Sequence, residues 1–163
     1  MSDTTPKTKA ERTRQYIIEQ SAPLFNKMGY TGTSLSDIVA ATSLTKGAIY
    51  GNFSNKDALA IAAFEYNLNQ LRAPFRVAVD AQENSVEKLL AVASFYRNNY
   101  QTVSDNGGCP ILNTATEVDD TDAALQALVA ESIFDWKQYL TSIILEGQKR
   151  NEIRSDVEAT KYA

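Results

Sequence analysis

Gly29 to Leu59 reads GYTGTSLSDIVAATSLTKGAIYGNFSNKDAL, two short helical patterns separated by a tight polar turn. Ser34 and Asp37 have the spacing of a capping box: the hydroxyl accepts from the backbone N–H near Asp37, and the carboxylate reaches back to the helix start. Leu35, Ile38 and Val39 give that helix its apolar face. Ser43 turns the chain, Leu44 anchors the turn, Thr45 supplies the next N-cap, and Ile49 holds the second helix against the first. Lys46, Gly47 and Ala48 are left facing outward. This pattern predicts a helix-turn-helix, whose second helix enters a DNA major groove by its N-terminal end. Gly47 and Ala48 are small enough to let the backbone approach the base edges, where Lys46 reaches guanine acceptors.

The flanks extend the pattern. Upstream, a helix is predicted from Glu11 to Met28, ended by Gly29; downstream, Ser54-Asn55-Lys56-Asp57-Ala58-Leu59 opens another. Taken in order, Phe25, Gly29, Thr33-Ser34, Asp37-Ile38, Thr45-Lys46-Gly47, Tyr50, Phe53, Lys56 and Leu59 resemble the DNA-binding half of the TetR family of one-component transcriptional regulators. The resemblance implies an all-α fold. An N-terminal arm and three-helix helix-turn-helix domain would occupy residues 1–54, and a larger helical ligand-binding and dimerisation domain residues 55–163. It implies a sequence-specific regulator, a repressor released from its operator by a small-molecule effector. Residue by residue, Thr33 or Ser34 would meet a phosphate, Thr45, Lys46, Gly47 and Ala48 would lie at the groove, and Tyr50 and Lys56 would hold the backbone. Helix N-termini at Ser34 and Lys56 suit a phosphate, because free N–H groups and the positive dipole end face it. The chain departs from the family pattern at Gly51 and Asn52, where the family often has an aromatic or polar side chain and then His. Phe53, and also Tyr50, read equally as core aromatics of a small helical domain.

Composition narrows the alternatives. With 44% apolar and 22% charged residues, 4 Pro and 7 Gly, the 163-residue chain fits a helix-rich globular protein of one or two small domains. No apolar run approaches a membrane span, and Met1 to Ala10 is a polar arm unlike a signal peptide, so a cytoplasmic location is expected. One Cys and no His leave no internal disulfide and few zinc or Ser/His/Asp arrangements, so neither a metal, a cofactor nor a catalytic residue is expected. The net charge of −4 divides unevenly: residues 1–60 hold seven Lys or Arg against five Asp or Glu, and residues 61–163 hold nine against fifteen. Lys7, Lys9, Arg12 and Arg14 concentrate the basic excess beside the helix-turn-helix, as salt-sensitive binding through a few placed contacts requires.

Beyond Leu59 the sequence reads as long amphipathic helices. A fourth helix is expected from Asn55 to Val79, kinked or broken at Pro74. A fifth opens at Asn84, with Val86, Leu89, Leu90, Ala93, Tyr96 and Tyr100 at helical spacing. Asn106-Gly107-Gly108 is a turn, Cys109-Pro110 starts a short helix through Glu117, and the acidic run 119–122 separates it from a long helix over Asp122 to Arg150. A last helix caps at Ser155, with Glu158 three residues on, and only about eight residues of it precede Ala163, too few to stand alone. The family usually continues through one more long helix, so the resemblance implies a homodimer whose interface would here rest on Asp122 to Arg150.

Effector candidates are the aromatic and polar groups of the second part: Tyr66, Phe95, Tyr96 and Tyr100, then Asn113, Thr116 and Glu117, then Phe134, Trp136 and Tyr139. Each also reads singly as core or surface. A Glu117 carboxylate in a pocket would select a cationic ligand. The run from Gly107 to Ala115 resembles one in a subgroup of the family that includes responders to electrophiles or oxidants, which adds Cys109, a thiol before a helix-starting Pro, as a sensor or a small packing residue. The rival class is a helical protein-interaction module of the same fold that has lost DNA binding; an enzyme acting through Glu117 has no motif behind it.

Overall fold

A computed structural model describes residues 8–118 and 123–163, and these are all-helical, without strands. Lys7 and the acidic run 119–122 lie outside the described residues. The first helix, α1 (Lys9–Gly32), starts two residues earlier than its sequence pattern suggests, because Thr8 and Glu11 form a capping box of their own. Gly29 interrupts it as expected, with φ 76° and ψ 175°, a conformation that only glycine adopts easily. The helix-turn-helix follows as α2 (Leu35–Thr42) and α3 (Lys46–Tyr50). Ser43 makes the turn in the left-handed region at φ 55°.

Ile17, Phe25, Ile38, Ile49 and Phe53 form the buried core of this head. The core also takes in Leu59, Ala60 and Ala63 from the next helix, α4 (Lys56–Asp80), so the start of α4 is built into the head. Two polar contacts brace the reading element from α1. The Tyr16 hydroxyl donates to Thr42 O at 3.1 Å, and Arg14 donates to Asn52 O at 3.2 Å while its guanidinium lies 4.0 Å over the Phe53 ring.

Of the two outcomes expected at Pro74, a kink or a break, the break does not occur: α4 runs on to Asp80. A mid-helix proline costs roughly 3 kcal/mol by removing the hydrogen bond to the carbonyl four residues back. Pro74 and Gln70 are both exposed, so that carbonyl stays open to solvent and the rest of the helix holds through Phe75 and Val79, both buried. Pro23 sits inside α1 in the same way, exposed, with Glu19 four residues before it exposed too.

The body continues with α5 (Ser85–Asn98), α6 (Tyr100–Asp105), α7 (Pro110–Ala115), α8 (Ala123–Lys149) and α9 (Ala159–Tyr162). Its α5 is phased differently from the expected stripe: Leu89, Val92, Phe95 and Tyr96 face the core, whereas Val86, Leu90 and Ala93 are exposed. Tyr100 belongs to α6 and is also exposed. Two cores stabilise the body. One joins Phe64 and Leu68 of α4 to Leu125 and Val129 of α8; the other centres on Phe75, whose ring centroid lies 4.8 Å from that of Trp136 and 5.4 Å from that of Phe95. Ser155 does not cap a helix. The chain turns at Asn151 (φ 59°), and Gln148 holds the returning segment by donating to Arg154 O and Val157 O, so the last helix starts only after Glu158. Glu152 accepts from Ser85 N at 2.7 Å, tying this segment to the start of α5.

Candidate DNA interface and effector cleft

The exposed end of the head is made by α3 and its flanks. Thr45 caps α3 by accepting from Ala48 N at 3.2 Å, which leaves its hydroxyl proton free. Lys46 and Gly47 are exposed, Ala48 is partly covered, and Tyr50 projects with 48% of its surface exposed. Ile49, at 2% exposure, is the anchor that turns the others outward. Asn52 donates to Ala48 O at 2.8 Å and closes the end of α3, a structural task that the sequence comparison with the family pattern did not foresee.

One expectation changes here, and two other candidate phosphate contacts gain local partners. Thr33 is fully buried and donates its hydroxyl to Gly29 O at 2.7 Å, so its side chain fastens the end of α1 and cannot reach a phosphate. Ser34 is exposed, but it caps α2 and donates to Asp37 at 2.6 Å; the Ser34 hydroxyl and backbone N–H hold the Asp37 carboxyl below its usual range. Lys56 lies half-buried at the start of α4 with its Nζ 4.3 Å over the Tyr30 ring, and the neighbouring Asp57 accepts from the Tyr30 hydroxyl. Arg14, counted with the basic excess in the sequence, stacks on Phe53 at the back of α3.

The effector candidates separate into distinct places. Tyr96, Cys109 and Trp136 come together in a cleft of about 450 Å³ between α4, α5, α7 and α8. Leu68, Leu71, Arg72 and Phe75 of α4, Ile111 and Leu112 of α7, and Ile133 of α8 complete its wall, which holds no carboxylate. Arg72 is steadied there by donating to Ser132 O at 3.2 Å, with Asp135 3.8 Å away. Burial, and then the neighbouring Cys109, push the Tyr96 hydroxyl above its ordinary pKa. Tyr66 and Phe95 line a second cleft, of about 360 Å³, on the side of α4 that faces α1.

The remaining candidates are elsewhere. Tyr100 and Phe134 are 70% and 60% exposed, and Thr116, also exposed, donates back to Asn113 O. Tyr139 donates to Asp80 at 2.9 Å under the Arg76 guanidinium. Asn113 donates to Asn26 O and to Gly107 O, while Asn26 donates to Asn106 O at 2.6 Å. The Glu117 carboxylate accepts from Tyr30 N at 2.6 Å and fills the space beside Gly29. It therefore joins body to head and does not select a cationic ligand in the apolar cleft. The missed wall residues had a partial signal, since Leu68, Leu71, Arg72 and Phe75 repeat at helical spacing with a cation among them.

A profile described as "Bacterial regulatory proteins, tetR family" matches residues 17–63, and one described as "Tetracyclin repressor-like, C-terminal domain" matches residues 85–163. A crystal structure of a TetR-family transcriptional regulator from Cytophaga hutchinsonii is 46% identical, with a TM-score of 0.91 over 96% of this chain and 78% of that one. The chain belongs to the TetR family. It is a DNA-binding transcriptional regulator, and this family is not one of enzymes. Two relatives named as repressors extend the likeness. The HTH-type transcriptional repressor DhaR of Mycobacterium sp. (strain GP1) is 24% identical over 88% of this chain and 71% of its own length. ComR of Escherichia coli (strain K12) is 25% identical over 99% and 80%. No helix among the described residues is long and apolar enough to cross a membrane.

Proposed function

We propose that this TetR-family chain is a homodimeric repressor that leaves its operator when a small apolar effector enters the cleft between α4, α5, α7 and α8. Thr45, Lys46, Gly47 and Tyr50 are the residues that meet DNA, with Ser34 and Lys56 at the phosphates on either side. The observation that carries the effector reading is the position of α7. One face of this six-residue helix walls the cleft through Ile111 and Leu112, and it is fastened to α1 twice, by Asn113 within the helix to Asn26 and by Glu117 just past it to Tyr30 N. An occupant that displaces α7 acts on the head directly, and a few kcal/mol of preference for the displaced state is enough to empty an operator. Pairing of two heads is supported by Phe134 and Leu145, exposed apolar residues eleven positions apart and so on one stripe of α8. Two half-sites on one DNA face require two recognition helices.

The test uses the chain's single tryptophan. Trp136 lines the cleft, so compounds that quench its fluorescence saturably are collected and then added to the protein bound to its own upstream DNA. Hits that also release the DNA support the reading. If saturating hits leave DNA affinity unchanged, the cleft is not the effector site.

A further inference from the structure

The second cleft lies apart from the first and shares only Leu71 with it. Two of its helical walls, α1 and α4, carry a mid-helix proline. Pro23 of α1 and Pro74 of α4 line it together with Glu19 and Gln70, the residues four positions before them. A proline has no N–H, so the Glu19 and Gln70 carbonyls each lack their helical donor. Residues i and i+4 share a helix face, so the face bearing each missing bond is the one that lines the cleft. Two opposed helices thus present an acceptor apiece to the same space. The Glu19 carboxylate stands at the rim, where Gln15 is its donor at 2.9 Å. The hydroxyls of Tyr66 and Thr102 add polar groups with no hydrogen-bond partner among the described residues. No Lys or Arg lines the cleft, while Leu71, Phe95 and Val103 give it an apolar side.

We propose that this cleft binds a compact amphiphilic amine, its ammonium donating to the carbonyls freed by Pro23 and Pro74 and its hydrocarbon part resting against Phe95 and Leu71. An ammonium brings three donors and no acceptor, which suits the two freed carbonyls and the Glu19 carboxylate. A carboxylate would meet the amide and hydroxyl donors of the wall, but also the two carbonyls freed by proline and the negative charge of Glu19. The volume of about 360 Å³ admits one aromatic ring with a short aminoalkyl chain. The site is independent of the apolar effector cleft, whose wall carries Arg72 and no carboxylate.

Phenethylammonium is the probe, titrated into the full chain by calorimetry, with phenylethanol and phenylpropionate as neutral and anionic controls. Saturable binding is expected, tightest for the ammonium and weakest for the carboxylate. Pro23→Ala and Pro74→Ala each return an N–H to one carbonyl and should weaken the ammonium roughly tenfold, the scale of one hydrogen bond to a charged group. Both changes relieve a helix defect, so an unchanged or raised Tm shows that the loss is not unfolding. Glu19→Gln should weaken the ammonium more than the alcohol. The proposal is overturned if no saturable binding occurs, if the carboxylate binds best, or if both proline variants bind as the parent does. Loss of ammonium binding in Trp136→Phe but not in the proline variants would move the probe to the apolar cleft and likewise overturn it.

Discussion

The head and the body of this regulator assemble their sites in opposite ways. In the head, the groups proposed to face DNA come from one short helix and the residues next to it, each oriented by a cap or a buried neighbour within a few positions: Thr45 on Ala48 N, Asn52 on Ala48 O, Ile49 underneath. In the body, the apolar cleft takes wall residues from four helices separated by tens of residues, and no two of α4, α5, α7 and α8 make it alone. A site written locally tolerates changes elsewhere, whereas a site written across helices depends on how they pack. The seam between the two regions, Gly29 and Tyr30 against Glu117, is where the difference is most exposed to test.

The largest expected effect is therefore at the seam. A Cβ on Gly29 would lie 1.6 Å from Glu117 Oε1, and the residue has φ +76°. Gly29→Ala should destabilise the protein by about 3 kcal/mol, combining left-handed strain with displacement of the carboxylate. Urea unfolding measures it. The double variant Gly29→Ala with Glu117→Ala removes the clash but keeps the strain, so it should recover part of the loss. Strict additivity of the two changes would mean that Glu117 does not fill that space in solution.

Next in size is Lys46→Ala. If the exposed end of α3 reads bases, operator affinity falls by about 1–3 kcal/mol and discrimination against scrambled DNA falls with it, while Tm stays unchanged. An equal loss on operator and scrambled duplex would reduce Lys46 to a phosphate contact.

Arg14→Gln divides the basic residues of the head by task. Its guanidinium lies over Phe53 and bonds Asn52 O, so it holds the end of the reading element in place. Operator affinity should drop roughly fivefold with the salt dependence preserved, whereas loss of a phosphate contact would lower the slope of log affinity against log salt by about 0.9.

What could be read from the sequence follows the same division. Caps and turns are short-range, so Ser34 with Asp37, the Thr45 cap, and the break at Gly29 were all visible in residue order. Thr33 was misplaced because a motif position carries no information on burial; only the path of α1 shows its hydroxyl directed at Gly29 O. In the body, helical spacing put Tyr96 on a stripe and residue type made Trp136 an effector candidate, but neither gave the facing partner. Glu117 is instructive: a lone carboxylate beside an acidic run reads as surface or pocket, and its partner, the Tyr30 amide, is 87 residues away in sequence. Pro74 was read by its local cost alone, and the packing of Phe75 and Val79 on the buried face of α4 carries the helix through it.

The smallest effect lies wholly in the body. Burial and the hydrogen bond to Asp80 raise Tyr139 from the ordinary 10.0 to about 12. The folded state thus keeps the phenolic proton more tightly than the unfolded chain does. The contribution is fully present below the unfolded value and is lost as pH rises through the folded one. Tyr139→Phe should therefore lower stability slightly at neutral pH, and the gap from the parent should narrow steadily between pH 10.0 and about 12. Denaturant unfolding followed through Trp136, three residues before it on α8, reads this from the same helix. A gap that stays constant across that range would mean that the Asp80 contact does not hold the proton, and that the edge of the body is more open than its aromatic core requires.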